Sequence, residues 1–156
     1  MVVLTSREAK EKILAGISLE GATIEGSIDL GGATIERDIN LRGVTLRGDL
    51  IIKHAVLNLD LRGATIWGNI SLEESRLGNL ELGKATIKGD LDLSEATIEE
   101  SLDLGGATIE GCLYLDEATI DGWFDLSTVK GPTKIYVHAE LAQAVHWAAP
   151  TTPLVV

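Results

Sequence analysis

The chain is poor in the residues that build disulfide-bonded or aromatic-rich domains. Its 156 residues include one cysteine, Cys112, so an intramolecular disulfide framework is excluded. Aromatic residues make up only 4%, and the hydrophobic 45% consists mostly of short aliphatic residues. No apolar run approaches the roughly 18 residues of a membrane-spanning helix. We therefore expect a single domain with an aliphatic core and no membrane span.

Basic residues are also scarce. The chain has 13 Lys and Arg against 24 Asp and Glu, which gives a formal net charge of −11. Such acidity opposes direct binding to nucleic acid or to an anionic membrane, and it favours solubility and basic partners. The first residues show neither the basic nor the apolar region of a signal peptide. We expect a cytoplasmic protein.

What the chain does contain is an eleven-residue repeat. The tripeptide Ala-Thr-Ile recurs and is followed each time by an apolar-x-apolar triplet such as residues 28–30. A fixed short period is typical of a solenoid, and the period-two alternation within each triplet predicts short strands with one buried face. Clear copies begin at Ala22, Ala33, Ala64, Ala85, Ala96, Ala107 and Ala118, and degenerate copies at Val44, Ala55, Ser75 and Val129.

Two repeats are needed to close one coil. Eleven residues hold two short strands and two corners, whereas roughly 22 residues provide four sides. The units that begin at Ala55 and Ser75 lack two residues and one residue between their triplets, and a two-repeat coil places both deletions at the same edge. We predict about five coils over residues 17–130. The corner glycines are interpreted as positions of positive φ: Gly26, Gly48, Gly68, Gly89, Gly111 and Gly122.

These inward positions resemble the pentapeptide-repeat family. The resemblance rests on a small residue followed by a larger one on each short side, and it covers residues 17 to about 130. The eleven-residue period and the Leu or Ile in the second triplet depart from the family motif, A-(D/N)-L-x-x. The resemblance implies a right-handed quadrilateral β-helix, an all-β solenoid. The matching pairs include Ala22/Ile24, Ala33/Ile35 and Ala96/Ile98.

The N-terminal segment predicts a helix over residues 5–15. Thr5 opens a capping box, which is a helix-start signal. Ala9, Ile13 and Leu14 form an apolar stripe that is expected to cover the first coil, because solenoids need capped ends.

The C-terminal segment departs from the repeat. We predict a last strand over residues 135–137 and a short helix over residues 139–149. The apolar tail either closes the far end or joins two subunits into a homodimer, and the candidate dimer segment is Leu154, Val155 and Val156. The predicted division is 1–16 for the N-terminal capping helix, 17–130 for the β-helix repeat domain, and 131–156 for the C-terminal cap or dimerisation segment.

Residues one coil apart stack in outward columns. We name one of them the acidic column, an uncharged Asn40 followed by four carboxylates: Asp60, Glu81, Asp103 and Asp125. It is a candidate interaction site for a basic partner, or simply a solvated face that keeps the rod soluble. Calcium requires six to eight converging oxygens, so no metal site is predicted in this straight row. A second column contains only threonines, which favour strands and are interpreted as such: Thr23, Thr45, Thr65, Thr86 and Thr108.

Catalytic chemistry has little support. His54, His138 and His146 are scattered and belong to no metal-binding motif. Trp67 and Trp123 follow corners and are either a binding patch or packed at an edge. We predict no catalytic, cofactor-binding or metal-binding residues.

Three functions remain open. The first is a non-enzymatic interaction scaffold of unknown protein partner that also self-associates. The second, implied by the resemblance, is an acidic mimic of duplex DNA that acts on a DNA-binding enzyme such as a type II topoisomerase. The third, which has the least support, is an enzyme that uses the C-terminal histidines.

Overall fold

The computed structural model describes residues 1–144 and 154–156. They form an all-β parallel solenoid of about six turns, which confirms the predicted fold class. Successive turns stack strands into three parallel sheets. Numbered along the chain, the first sheet contains β1 (Val3–Thr5), β2 (Thr23–Glu25), β5 (Thr45–Leu46), β8 (Thr65–Ile66), β11 (Thr86–Ile87) and β14 (Thr108–Ile109).

The second and third sheets complete each turn. The second contains β3 (Ile28–Asp29), β6 (Leu50–Ile51), β9 (Ile70–Ser71), β12 (Leu91–Asp92), β15 (Leu113–Leu115), β18 (Ile135–Val137) and β19 (Leu154–Val155). The third contains β4 (Ile39–Asn40), β7 (Val56–Asp60), β10 (Arg76–Glu81), β13 (Thr97–Asp103), β16 (Thr119–Ile120) and β17 (Trp123–Asp125).

The register confirms one turn per two repeats. The threonines of the first sheet pair in sequence from β2 to β14, at intervals of 20 to 22 residues. Both shortened units lie in the third sheet, where β7 has five residues and β10 has six, against seven in β13. The ladder is irregular at the same point between these strands, so one edge does absorb both deletions.

Three sheets form, rather than one for each predicted side, because the last two segments of a turn merge into the single strands β7, β10 and β13. About six turns are present, instead of five, since strand stacking extends past residues 17–130 at both ends. At the start β1 pairs with β2, and at the far end β18 and β19 continue the second sheet. The quadrilateral cross-section and the right-handed sense stay predictions.

The core is a set of aliphatic ladders. The predicted inward positions are buried from Ala22 to Ala118, apart from Ala33, which is half-buried. Ser75 is the one buried polar residue among those described. Its hydroxyl donates to the Ile52 carbonyl at 3.1 Å and accepts from the Ala55 amide at 3.3 Å, as a buried hydroxyl requires.

The helix α1 (Ser6–Leu14) occupies part of the first turn. Thr5 is its N-cap, and the predicted capping box with Glu8 is present. Ala9 and Ile13 are buried against the solenoid, whereas Leu14 is 42% exposed, so its place in the covering stripe was wrong. Leu14 ends the helix one residue after Ile13, and a residue one position along is rotated away from the buried face.

The C-terminal segment adds further strands. β18 lies where the last strand was predicted, and α2 (Ala139–Ala144) follows it. The remaining residues of the predicted helix, 145–149, lie outside the described residues. In the tail, β19 pairs in parallel with β18 of the same chain. Its role as a dimer segment stays a prediction. No helix in the described part of the chain is long and apolar enough to cross a membrane.

The corner glycines are required for a reason that differs from the predicted one. Of the six, only Gly26 has a left-handed φ, at 106°. At Gly68 a Cβ atom would lie 2.8 Å from the Gly48 carbonyl carbon and would collide with the Asp49 carboxylate. Glycine therefore serves close approach of successive turns at this corner, rather than backbone freedom.

Candidate functional site

One corner of the solenoid is held by a ladder of polar side chains between the first and second sheets. In each turn a side-chain oxygen accepts the backbone N–H of the equivalent residue in the next turn. The four distances lie between 2.7 and 2.9 Å. These side chains stabilise stacking, so their carboxylates are not free surface charges. The ladder runs from Ser27 through Asp49, Asn69 and Asp90 to Cys112.

The free thiol ends this ladder. Cys112 is half-buried, and its Sγ lies 3.4 Å from the Thr133 hydroxyl. This contact is with a side-chain hydroxyl, whereas the oxygens of the earlier turns accept a backbone N–H. We assign the thiol no function.

The predicted acidic column is in register. Asn40 pairs with Asp60, Asp60 with Glu81, and Glu81 with Asp103, which in turn pairs with Asp125. The column therefore exists as a feature of the backbone register. Its role as an interaction site stays a prediction.

Several members of the column have a structural role that explains their residue type. The side-chain oxygens of Asn40 and Asp60 each accept the backbone N–H two residues further on, at 3.0 Å. Asp103 makes the same bond to the Gly105 amide at 2.8 Å. Asp and Asn favour such turns because their short side chains reach their own backbone. The repeat of acidic residues here follows from turn formation, with no partner required.

A single arginine neutralises the middle of the column. Arg62 Nη2 lies 2.6 Å from Asp60 Oδ2, and Arg62 Nε lies 2.7 Å from Glu81 Oε2. The hydrogen bonds and charge of Arg62 hold the pKa of Asp60 below its ordinary value, against the opposing effect of burial. Sequence reasoning missed this contact, although an arginine two residues after the column position, as at Arg42 and Arg62, was a visible signal.

We expect Arg62→Gln to lower the free energy of unfolding at pH 7, because Asp60 and Glu81 lose the cation that they share. A carboxyl with a lowered pKa in the folded state contributes stability above its unfolded pKa, and this is lost as the pH falls through the folded pKa. The difference between wild type and variant should therefore shrink on acidification below about pH 4. Urea unfolding at several pH values measures it. Arg7→Gln, which breaks the exposed pair with Glu11, should change stability by less than about 0.5 kcal/mol.

The net charge of the chain is concentrated in one band. Residues 89–129 contain eleven Asp and Glu but no Lys or Arg, and the rest of the chain carries 13 of each sign. We call residues 89–129 the acidic band; it spans β12 to β17. Its acidic residues are Asp90, Asp92, Glu95, Glu99, Glu100, Asp103, Glu110, Asp116, Glu117, Asp121 and Asp125.

Few of these charges are paired. Among the described residues, the band's close ion pairs join Glu99 to Arg76 and Glu110 to Lys88, both reaching back to the preceding turn. Glu95, Asp116 and Glu117 are exposed. The band itself contains no Lys or Arg, whereas in the preceding turns Arg62 lies against Asp60 and Glu81 of the acidic column.

The acidic band also contains aromatic side chains, which lie on two different sheets. Trp123 is 62% exposed in β17, next to Ser101 of the neighbouring strand. Tyr114 stacks on Tyr136 with ring centroids 4.8 Å apart and an interplanar angle of 6°. Burial, together with the nearby Cys112 and Asp90, raises the pKa of Tyr114. The band thus contains exposed carboxylates and one exposed tryptophan, Trp123.

The first sheet carries a different set of outward contacts. Trp67 is 56% exposed, and Lys88 Nζ lies 5.7 Å from its ring centroid, within range of a cation–π contact. Both tryptophans are partly exposed, and the choice between a binding patch and edge packing stays a prediction. The threonine column is in register and half-exposed beside them.

The histidines do not form a cluster in the described structure. His54 Nδ1 lies 3.4 Å from Glu74 Oε2 at an exposed corner, and His138 follows β18. His146 lies outside the described residues. In the part of the chain that the structure covers, no group of three or more His, Cys, Asp or Glu side chains is placed to hold a metal ion.

Comparisons with known protein families, with curated proteins and with solved structures found no match.

Proposed function

We propose that this protein is a non-enzymatic interaction scaffold that binds a basic protein partner on the acidic band. The observation that supports this most directly is the segregation of charge. The whole net charge of −11 resides in residues 89–129, while the preceding turns are balanced. A soluble rod needs no such asymmetry, since evenly spread charge gives the same solubility.

The composition of the band suits a protein partner. Trp123, exposed on the third sheet, and Tyr114, half-buried on the second, supply aromatic surface. Glu95, Asp116 and Glu117 are exposed in the same band. Interfaces commonly combine aromatic anchors with a charged rim, which directs the approach of an oppositely charged surface. The parallel stacking of strands holds these groups at fixed spacing. Little conformational freedom of side chains or backbone is therefore lost on binding.

The finer details of the fold belong to the same proposal. We infer a right-handed quadrilateral β-helix of the pentapeptide-repeat kind, supported by the 20- to 22-residue register and the inward alanines. Self-association through the tail is also part of it: β19 is the last strand of its sheet, and Val155 and Val156 are exposed. The cytoplasm is the proposed location.

A second candidate is an acidic mimic of duplex DNA. It is supported by the stacking of carboxylates one per turn, at the strand spacing of about 4.8 Å. The neutralisation of Asp60 and Glu81 by Arg62 limits the unpaired part of such a surface to the acidic band. The target on this hypothesis is a type II topoisomerase.

Matched charge variants test the scaffold proposal. We expect Glu95→Gln, Asp116→Asn and Glu117→Gln together to weaken binding of a short lysine-rich peptide about tenfold at low salt. These side chains make no described hydrogen bond or ion pair, so the fold should be retained. The control triple, Glu11→Gln, Glu20→Gln and Glu36→Gln, removes the same charge from the other half of the chain and should change the affinity less than about twofold. Fluorescence anisotropy of a labelled peptide measures both.

Equal weakening by the two triples would show that only total charge matters, and the localised surface would be rejected. A topoisomerase supercoiling assay with the same proteins distinguishes DNA mimicry from the scaffold proposal. Inhibition that the band triple abolishes supports DNA mimicry, whereas no inhibition by the wild-type protein excludes it for that enzyme.

A further inference from the structure

A groove runs along the corner between the third and first sheets, and two of its lining residues, Asp103 and Gly105, belong to the acidic band. Its volume is about 410 Å³, within the range of small-molecule sites. The chain passes through this corner once per turn, so each turn contributes one or two lining residues. These are Arg42, Arg62, Gly63, Gly83, Lys84, Asp103 and Gly105.

The lining brings three basic side chains to one corner of an acidic protein. Three of its side chains are basic and one, Asp103, is acidic. The backbone of the corner is fixed by bonds between turns: the Gly43 amide donates to the Arg62 carbonyl, and the Gly63 amide to the Gly83 carbonyl, both at 2.9 Å. The basic side chains therefore project from a rigid frame at intervals of one turn.

Arg62 is oriented by neighbouring carboxylates. Its Nε and Nη2 atoms face Asp60 and Glu81, which leaves Nη1 without a close carboxylate. Because one side of the guanidinium is already held, less conformational entropy is lost when its other side binds an anion.

Arg42 and Lys84 differ from the other basic residues of the central turns. Arg47, Lys53, Arg76 and Lys88 each form an ion pair with a carboxylate. Arg42 and Lys84 form none with any residue that the structure describes, although Arg42 contributes to the potential at Asp60. Two unpaired cations thus lie on either side of Arg62 at one groove.

We propose that this groove binds the phosphate group of a small phosphorylated molecule. Guanidinium groups donate paired hydrogen bonds to phosphate oxygens, and lysine adds a point charge. The charge of Arg62 is already balanced by Asp60 and Glu81. The charge available to a ligand therefore comes from the unpaired Arg42 and Lys84, two cations that suit a phosphate monoester dianion. The glycines of the lining leave space beside the cations for the organic part of the ligand.

Titration of the full chain with phenyl phosphate, inorganic phosphate and acetate at constant ionic strength tests this site. Amide chemical shifts of Gly63, Gly83 and Gly105 should move with phenyl phosphate and, at higher concentration, with inorganic phosphate, but not with acetate. Binding of phenyl phosphate tighter than that of inorganic phosphate indicates a small organic ligand; equal binding indicates free phosphate. Arg42→Gln and Lys84→Gln should each weaken phosphate binding about tenfold.

Arg47→Gln is the matched control. It removes one positive charge from the neighbouring first-sheet face, where Arg47 pairs with Glu25, and it should leave the phosphate affinity unchanged within about twofold. The site is rejected if Arg47→Gln weakens binding as much as Arg42→Gln, if acetate competes as well as phosphate, or if the shifted amides lie elsewhere. These results are independent of binding to the lysine-rich peptide.

Discussion

Gly68→Ala is expected to lower the free energy of unfolding by about 3 kcal/mol, at the upper end of the usual cost of overpacking. The added methyl group would lie 2.8 Å from both the carbon and the oxygen of the Gly48 carbonyl. These are backbone atoms in the turn below, which cannot rotate away. The Gly68 amide also donates to the Gly48 carbonyl at 3.1 Å, so separating the two turns would weaken this bond as well.

The same substitution displaces the Asp49 carboxylate. Asp49 Oδ1 accepts the Asn69 amide at 2.7 Å, and the new Cβ would occupy the space beside it. The loss of one such hydrogen bond accounts for roughly 1 kcal/mol of the expected destabilisation. Gly89 and Gly111 stand in equivalent positions one and two turns later and should respond in the same way.

Chemical denaturation of Gly68→Ala and Gly83→Ala measures the difference. Gly83 has no left-handed φ, and the nearest atom to its Cβ would be a carboxylate oxygen of Asp103 at 3.2 Å. That side chain can shift, so we expect a loss below about 1 kcal/mol. A similar loss in both variants would contradict the proposed role of close approach between turns.

The architecture of the coil was predictable because the spacing of apolar residues along the sequence determines it. Alternating apolar residues, such as Ile87 beside Thr86, define which side of each strand is buried. The deletions in the units of Ala55 and Ser75 predicted the shared edge from the sequence alone. Ser75 stands at the alanine position of its repeat, and it is buried there with two hydrogen bonds.

The surface was less predictable, since it depends on contacts between turns that repeat spacing does not specify. The acidic column was placed correctly in register, yet Arg62 and the turn bonds of Asp60 and Asp103 changed its meaning. The eleven-residue repeat does not reveal such contacts, because each involves a position whose residue type varies from one repeat to the next. Strand β1 was missed for a related reason: Val3–Thr5 pairs in the first sheet, but no repeat precedes the helix.

Strand β11 allows the buried and the outward face of one strand to be compared directly, because it has only the two residues Thr86 and Ile87. Substitutions at these two positions should differ clearly in their effect on stability. Ile87 is fully buried, and it is stacked in register between Ile66 and Ile109 of the adjacent turns. Ile87→Ala should therefore lower the free energy of unfolding by about 3 to 4 kcal/mol, from lost burial and from the cavity left in a rigid ladder. Thermal and urea unfolding both report this loss.

Thr86→Ala is the control within the same strand. Its side chain points outward and makes no described hydrogen bond, so we expect a loss of about 0.5 kcal/mol, mainly from lower strand propensity. Equal effects at the two positions would contradict the assignment of faces. Because each turn contacts only its neighbours, the cavity at Ile87 should weaken the turns of β8 and β14 before it affects α1. Hydrogen exchange of the Thr65 and Thr108 amides, compared with those of α1, would show this local loss of protection.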